Sequence, residues 1–251
     1  LKNLRDRYAT LIRERYPRIP RRVSGYNLDE LLPENGFHVA RALTGTEGTC
    51  VTILEAVVRL VHSPPSRSLL VLGYPSVYEA GDHILEILPH EPIGLEGIDD
   101  LLVDDMKKKG LHPANLRLLP EGKGWLLVEF GGDTREESDA RAHALMAGLA
   151  RRPGPPSMKL FDDPRQEALV WAIRESGLGA TARVPGEPDT WEGWEDSAVP
   201  PERLSRYLRD LRALYRKFGY EGALYGHFGQ GCVHTRITFD LVTASGIAKF
   251  H

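Results

Sequence analysis

Cysteine is scarce in this sequence. Cys50 and Cys232 are the only two among 251 residues, too few for a disulfide framework, so a reducing, cytoplasmic setting is the default. Positive charge is not in excess either. Lys and Arg number 32 against 35 Asp and Glu, a formal net charge of -3, so no basic surface advertises a nucleic-acid partner. No apolar run approaches the roughly 18 residues of a transmembrane helix, and no signal-peptide pattern opens the chain. Internal repeats of fixed period and low-complexity tracts are absent as well. What remains is 41% hydrophobic and 27% charged, the profile of a soluble globular protein with a sizeable core. The length suits one large domain or two ordinary ones. The first residue is Leu and the last six, GIAKFH, read as a starting helix, so a fragment of a longer protein is expected.

Residues 3–16 place Leu4, Tyr8, Leu11 and Ile12 on one helical stripe, ended by Pro17 and Pro20. A helical turn is expected over 29–32. Residues 51–61, VTILEAVVRLV, are rich in β-branched side chains and read as a buried strand. A seam, HSPPS, follows at 62–66. Beyond it strands are expected at 68–73, 92–98, 125–131 and 157–161. Helices alternate with them at 77–88, 99–109, 135–151 and 164–176. The strands are short and partly alternating, which suits an antiparallel sheet covered on one side. That gives an α+β, ferredoxin-like layout rather than a doubly wound sheet. An irregular loop bearing Trp191 and Trp194 spans 179–201, long enough to be suspected of function. A helix at 201–218 and strands at 223–226 and 233–241 complete the chain.

Between those last strands lies YGHFGQGCVH, residues 225–234. On a straight strand His227 and His234 would face opposite ways, but the three glycines of the stretch, Gly226, Gly229 and Gly231, favour a turn that lets both imidazoles converge. Zn, Mn or Fe would accept two such nitrogens. A third ligand is needed, and Asp240, six residues on, is not an obvious choice. The alternative is a glycine hairpin with incidental histidines. Cys232 lacks a CxxC partner and reads as a packed thiol. The segment Gly45-Thr46-Glu47-Gly48-Thr49 has turn chemistry that allows close approach of a ligand to backbone. Arg174, near a helix end before the irregular loop, can bind a carboxylate bidentately or form a surface ion pair.

Three stretches in order resemble one family. Ser24-Gly25-Tyr26-Asn27-Leu28 and Gly45-Thr46-Glu47-Gly48-Thr49 resemble the end of the FAD-binding domain of FAD-linked oxidases of the vanillyl-alcohol-oxidase type. That family includes D-lactate, glycolate and D-2-hydroxyglutarate dehydrogenases. Gly226-His227-Phe228-Gly229-Gln230-Gly231-Cys232-Val233-His234 is similar to the family's cap-domain signature. The Gly-Gln-Gly-Cys form is nearest to bacterial members fused to an iron–sulfur part.

The resemblance implies that residues 1–62 finish a flavin domain and 63–251 form most of a substrate-binding cap. It implies an FAD-dependent oxidoreductase of a 2-hydroxy acid, with hydride passing to the flavin and a divalent metal such as Zn assisting. Gly25, Tyr26, Gly45, Glu47, Gly48 and Thr49 would touch the cofactor, His227 and His234 the metal, and Arg174 the substrate carboxylate. An electron acceptor or an iron–sulfur domain would be the partner, in the cytoplasm or peripherally at the inner membrane. Trp194 stands where metal-dependent relatives have a lysine ahead of Asp196 and Pro200. Cys232 and Arg236 replace two asparagines, and Arg236 is the candidate to restore the lost cation. The glycine-rich pyrophosphate loop would belong upstream of residue 1 and a third metal ligand, a glutamate, downstream of residue 251. A non-catalytic binding domain on a reused cap fold is the alternative from another class.

Overall fold

Successive side chains of a strand point to opposite faces, so unbroken apolar runs bury both. Leu70 and Leu72 pack in one apolar cluster with Leu126 and Val128. Their neighbours Leu69, Val71, Trp125 and Leu127 pack in another. The sheet is therefore covered on both faces, not on one as the short strands suggested. The runs SLLVLG and WLLVEFG carry no polar alternation, and that is the sign of a two-sided core.

The computed structural model describes residues 1–193 and 196–251. The chain divides into two compact units, Leu1–His62 and Ser63–His251. In the first, α1 (Lys2–Arg15) buries only Ile12 of its expected stripe. A 3-10 turn at Leu28–Leu31 and a short α2 (Val39–Leu43) follow. Residues 51–61 form no strand. They pair with nothing among the described residues, and Leu54 and Val57 are almost fully exposed. β-branched composition favours a pleated surface only where neighbours cover it.

The second unit runs β1 (Ser66–Tyr74), α3 (Val77–Asp82), α4 (Ile84–Ile87), β2 (Gly94–Asp99), α5 (Asp100–Lys108), α6 (Pro113–Leu116), β3 (Gly124–Gly132), α7 (Arg135–Leu149) and β4 (Ser157–Phe161). It continues through α8 (Pro164–Glu175), α9 (Gly177–Ala180), β5 (Trp191–Glu192), β6 (Ser197–Ala198), α10 (Leu204–Phe218), β7 (Gly222–Gly226), β8 (Cys232–Ile237) and α11 (Ala244–Phe250). The sheet order is β4-β1-β3-β2-β7-β8-β5, with β6 also on β8. All pairs are antiparallel. Its first four strands have the ferredoxin-like order within an α+β fold. The helix expected at 77–88 is broken at His83, which caps two short helices, and β8 ends at Ile237, short of the expected 241.

The β2–β7 junction is brief: Gly97 lies opposite Gly226 and Ile98 opposite Tyr225. Asp99 extends it by side chain. It accepts the Leu102 N–H at 3.0 Å, capping α5, and the Leu224 N–H of β7 at 2.7 Å. Burial pushes its carboxyl up to about 7.

Candidate functional site

Tyr225 pairs with His234 across β7 and β8. The hairpin then turns through a 3-10 helix at Phe228–Gln230. Gly231 closes that turn at φ +69, and a Cβ there would lie 1.9 Å from the Val199 carbonyl oxygen, so only glycine fits. Phe228, fully buried, presses onto β2 where Gly97 leaves room: an added Cβ would sit 2.1 Å from its ring. The turn brings the two imidazoles together with their Nε2 atoms 3.3 Å apart.

Each imidazole has a carboxylate on its other nitrogen. His227 Nδ1–H donates to Glu96 Oε1 at 2.7 Å. The Asp196 carboxylate faces His234 Nδ1 at 3.5 Å, and the buried Cys232 thiol donates to Asp196 at 3.2 Å. A carboxylate accepts but does not donate, so Glu96 fixes the His227 proton on Nδ1 and turns the Nε2 lone pair toward His234. One donor atom from each of Asp196, His227 and His234 falls within 4.8 Å of the others. Two imidazole nitrogens on one tetrahedral zinc, each at about 2.0–2.1 Å, lie about 3.3–3.4 Å apart. The donor set thus fits a divalent cation: two imidazoles, the Asp196 carboxylate nearby, and Glu96 behind them orienting the His227 ring.

Arg174 enters this cluster from α8. Its Nε donates to Glu96 Oε2 at 2.8 Å, and its guanidinium carbon lies 5.3 Å from the centre of the Tyr225 ring. Among the described residues, its two terminal nitrogens donate to no protein acceptor. Those nitrogens form the fork that takes a carboxylate bidentately. The surface ion pair considered for Arg174 is instead a largely buried one, both side chains being only 12–13% exposed.

Arg236 is placed differently. It follows His234 by two residues, but its guanidinium donates to the Thr190 hydroxyl at 3.1 Å, the Thr190 carbonyl at 2.7 Å and the Glu192 carboxylate. It lines a cavity of about 550 Å³ with Asp105, Lys108, Thr190 and Arg216 rather than the imidazole cluster. Asp240 accepts the Thr243 N–H at 2.9 Å in the turn that leads into α11 and is not part of the site. Trp194 lies outside the described residues.

Glu96 and Asp196 were not read from the sequence as site residues. Asp196 was visible beside Pro200, in the stretch where the missing lysine was sought. Glu96 carried no local signal at all, since the sheet brings it across 131 residues to His227.

The first unit gathers its own cluster. The Tyr26 hydroxyl and the Thr49 hydroxyl lie 2.8 Å apart, and Asn27 Nδ2 donates to the Thr44 carbonyl at 2.9 Å. Gly25, Gly45 and Gly48 have φ of +82, +79 and +73. Glu47 is also left-handed at φ +50, unusual for a residue with a Cβ.

Residues 63–251 match the description "FAD linked oxidases, C-terminal domain". The chain belongs to the FAD-linked oxidase family. A D-2-hydroxyglutarate dehydrogenase of Pseudomonas putida is 29% identical over 96% of this chain and 25% of its own length. Glycolate oxidase subunit GlcD of Bacillus subtilis is 25% identical over 82% of this chain and 42% of its own. A probable mitochondrial D-lactate dehydrogenase of Danio rerio is 23% identical over 86% and 42%. The chain therefore spans between a quarter and about two-fifths of these relatives' length.

In this member of the FAD-linked oxidase family, residues 25–49 are the ones expected at the cofactor. The N–H groups of Glu47 and Gly48 make no hydrogen bond to protein among the described residues. Side-chain Cβ atoms built on Gly25, Gly45 and Gly48 would meet nothing within 4 Å. Open backbone with unpaired donors suits close approach of a polar cofactor. Among the described residues no helix is long and apolar enough to cross a membrane.

Proposed function

We propose that the full-length protein is an FAD-dependent dehydrogenase or oxidase of a 2-hydroxy acid. In this reading residues 63–251 supply its substrate-binding cap and residues 1–62 the end of its flavin domain. One observation carries the substrate class: Arg174 offers an unspent guanidinium fork beside two converging imidazoles. A carboxylate next to a carbinol needs a cationic clamp and a Lewis acid on the adjoining hydroxyl. The relatives named for D-2-hydroxyglutarate, glycolate and D-lactate share that grouping.

When bound, the flavin would supply hydride acceptance and the metal Lewis acidity at the 2-hydroxyl. His227 and His234 would hold the metal through Nε2, with Asp196 as the nearest further donor. Gly25, Tyr26, Gly45, Glu47, Gly48 and Thr49 would line the flavin. Arg174 grips the carboxylate through its terminal nitrogens while the Tyr225 ring stacks under the guanidinium, a cation–π contact that holds the plane of the fork. Arg236 serves as a second cation only for a substrate long enough to displace Glu192, whose side chain is 52% exposed. That makes the occupant of the Thr190–Arg236 region the discriminator between monocarboxylic and dicarboxylic substrates. The electron acceptor is a separate redox protein or an iron–sulfur domain, and the setting is cytoplasmic or peripheral to the inner membrane.

The test is turnover of D-lactate, glycolate and D-2-hydroxyglutarate by the flavin-loaded full-length protein with a dye acceptor. Arg174→Ala should raise KM for the accepted acid by about a hundredfold, the weight of a charge-assisted bidentate contact of roughly 3 kcal/mol, with flavin content unchanged. A full-length protein that binds no FAD, or oxidises none of the acids, would reject the reading.

A further inference from the structure

Glu96 stands between the two halves of the candidate site. Its Oε2 accepts from Arg174 Nε at 2.8 Å and its Oε1 from His227 Nδ1 at 2.7 Å. The side chain is 13% exposed, and no other ion pair of Glu96 is formed among the described residues. It projects from the middle of β2, held between Leu95 and Gly97 of the sheet core. A carboxylate on a paired strand is fixed more tightly than one on a loop.

We propose that Glu96 is a positioning residue that serves both functions at once, and this rests on the reading of the site given above. Its first oxygen keeps the proton of His227 on Nδ1, so that Nε2 is presented as a metal ligand. Its second oxygen occupies the inner Nε of Arg174 and leaves the terminal fork aimed outward for the substrate carboxylate. Each partner alone would be under-determined. An unanchored imidazole can flip or change tautomer, and an unanchored arginine can choose among rotamers. One rigid carboxylate removes both freedoms, so metal binding and substrate binding share a single support.

The reading makes Glu96→Gln more informative than removal of the side chain. Glutamine keeps the size but offers one acceptor oxygen and one N–H donor group, so it can satisfy only one of two donors facing it. In the flavin-loaded full-length protein, E96Q should weaken Zn²⁺ or Mn²⁺ binding, followed by calorimetry, by about 10- to 100-fold. It should also raise KM for the accepted hydroxy acid by about tenfold or more. Flavin content and thermal midpoint should hold. Glu96→Asp keeps the charge but is one methylene shorter, and should lose at least one of the two effects of the native side chain. Metal affinity and KM both at the wild-type level in E96Q overturn the proposal. If E96Q fails to fold, E96D decides by the same criterion: both quantities unchanged overturn it, and a loss in either supports it. A wild-type protein that binds no divalent metal overturns this inference and the metal reading together. Tight metal in the wild type with no effect of E96Q overturns this inference alone.

Discussion

Asp99 shows how one side chain can substitute for a stretch of sheet. Where regular β2–β7 pairing ends, its carboxylate accepts the Leu224 N–H and caps α5 through Leu102. It is fully buried, with Arg212 Nη2 3.5 Å away. Burial favours the protonated acid and pushes its pKa up to about 7, well above the ordinary value for an unfolded chain. The sign follows from linkage. A raised carboxyl pKa gives stability that is complete below the unfolded value and is lost as pH rises through the folded value. Between pH 4 and 7 Asp99 should therefore withdraw up to about 4 kcal/mol. Urea unfolding should give a higher midpoint at pH 5 than at pH 8, and Asp99→Asn should flatten that slope whatever it does to the absolute stability. An unchanged slope in D99N would assign the pH dependence elsewhere. At this scale His227 and His234 were legible because the glycines around them, Gly226, Gly229 and Gly231, favour a turn between them. Glu96 was not legible, because its role comes from strand register and no local pattern encodes register across 131 residues. Cys232 reads correctly as packed, being fully buried, yet its contact with Asp196 could not be seen in the sequence.

Among the elements, the β7–turn–β8 hairpin is held to the rest of the sheet from two sides. Phe228 drops into the space over Gly97, and Gly231 passes beneath the Val199 carbonyl. Gly97→Ala would drive a methyl into the Phe228 ring, a repacking that costs about 1–3 kcal/mol. Because Phe228 adjoins His227, metal affinity should fall together with the thermal midpoint. Differential scanning calorimetry paired with metal titration of G97A checks this, and loss of stability with full metal affinity would show that the turn and the imidazoles are uncoupled. Most of these elements were readable, since β1, β3, α7, α8 and α10 lie close to their expected spans. The exceptions are instructive. Residues 51–61 have the composition of a strand but no partner to complete the ladder, and hydrogen bonding across strands is a tertiary property. The helix at 77–88 breaks at His83, whose ring stacks on Tyr74 with centroids 5.0 Å apart, an interaction that helical periodicity does not reveal.

For the whole molecule, the ferredoxin-like order of the first four strands was anticipated from the alternation of short strands and helices. The second helical layer was not, because unalternating runs such as Leu69 to Leu72 fit a buried strand of either sheet type. The candidate site draws Glu96 from β2, Arg174 from α8, Asp196 from the turn before β6, and His227 and His234 from the hairpin. It straddles a short ladder in the middle of the sheet: two residue pairs join β2 to β7, as few as join β5 or β6 to β8 at its edge, whereas β1 and β3 pair from Ser66–Gly132 through Tyr74–Gly124. A ladder with few backbone bonds has few to break on local opening, so a hinge is expected at this junction, with the site lying across it. A cation held by the hairpin and oriented from β2 would act as a latch. Zn²⁺ added to the full-length protein should slow hydrogen exchange at the amides of β7 and β8 while leaving β1 and β3 unchanged, and uniform slowing throughout the sheet would mean that no hinge is there. The cap would then be able to loosen and tighten at its own ligand site, making occupancy and sheet integrity two readings of one equilibrium.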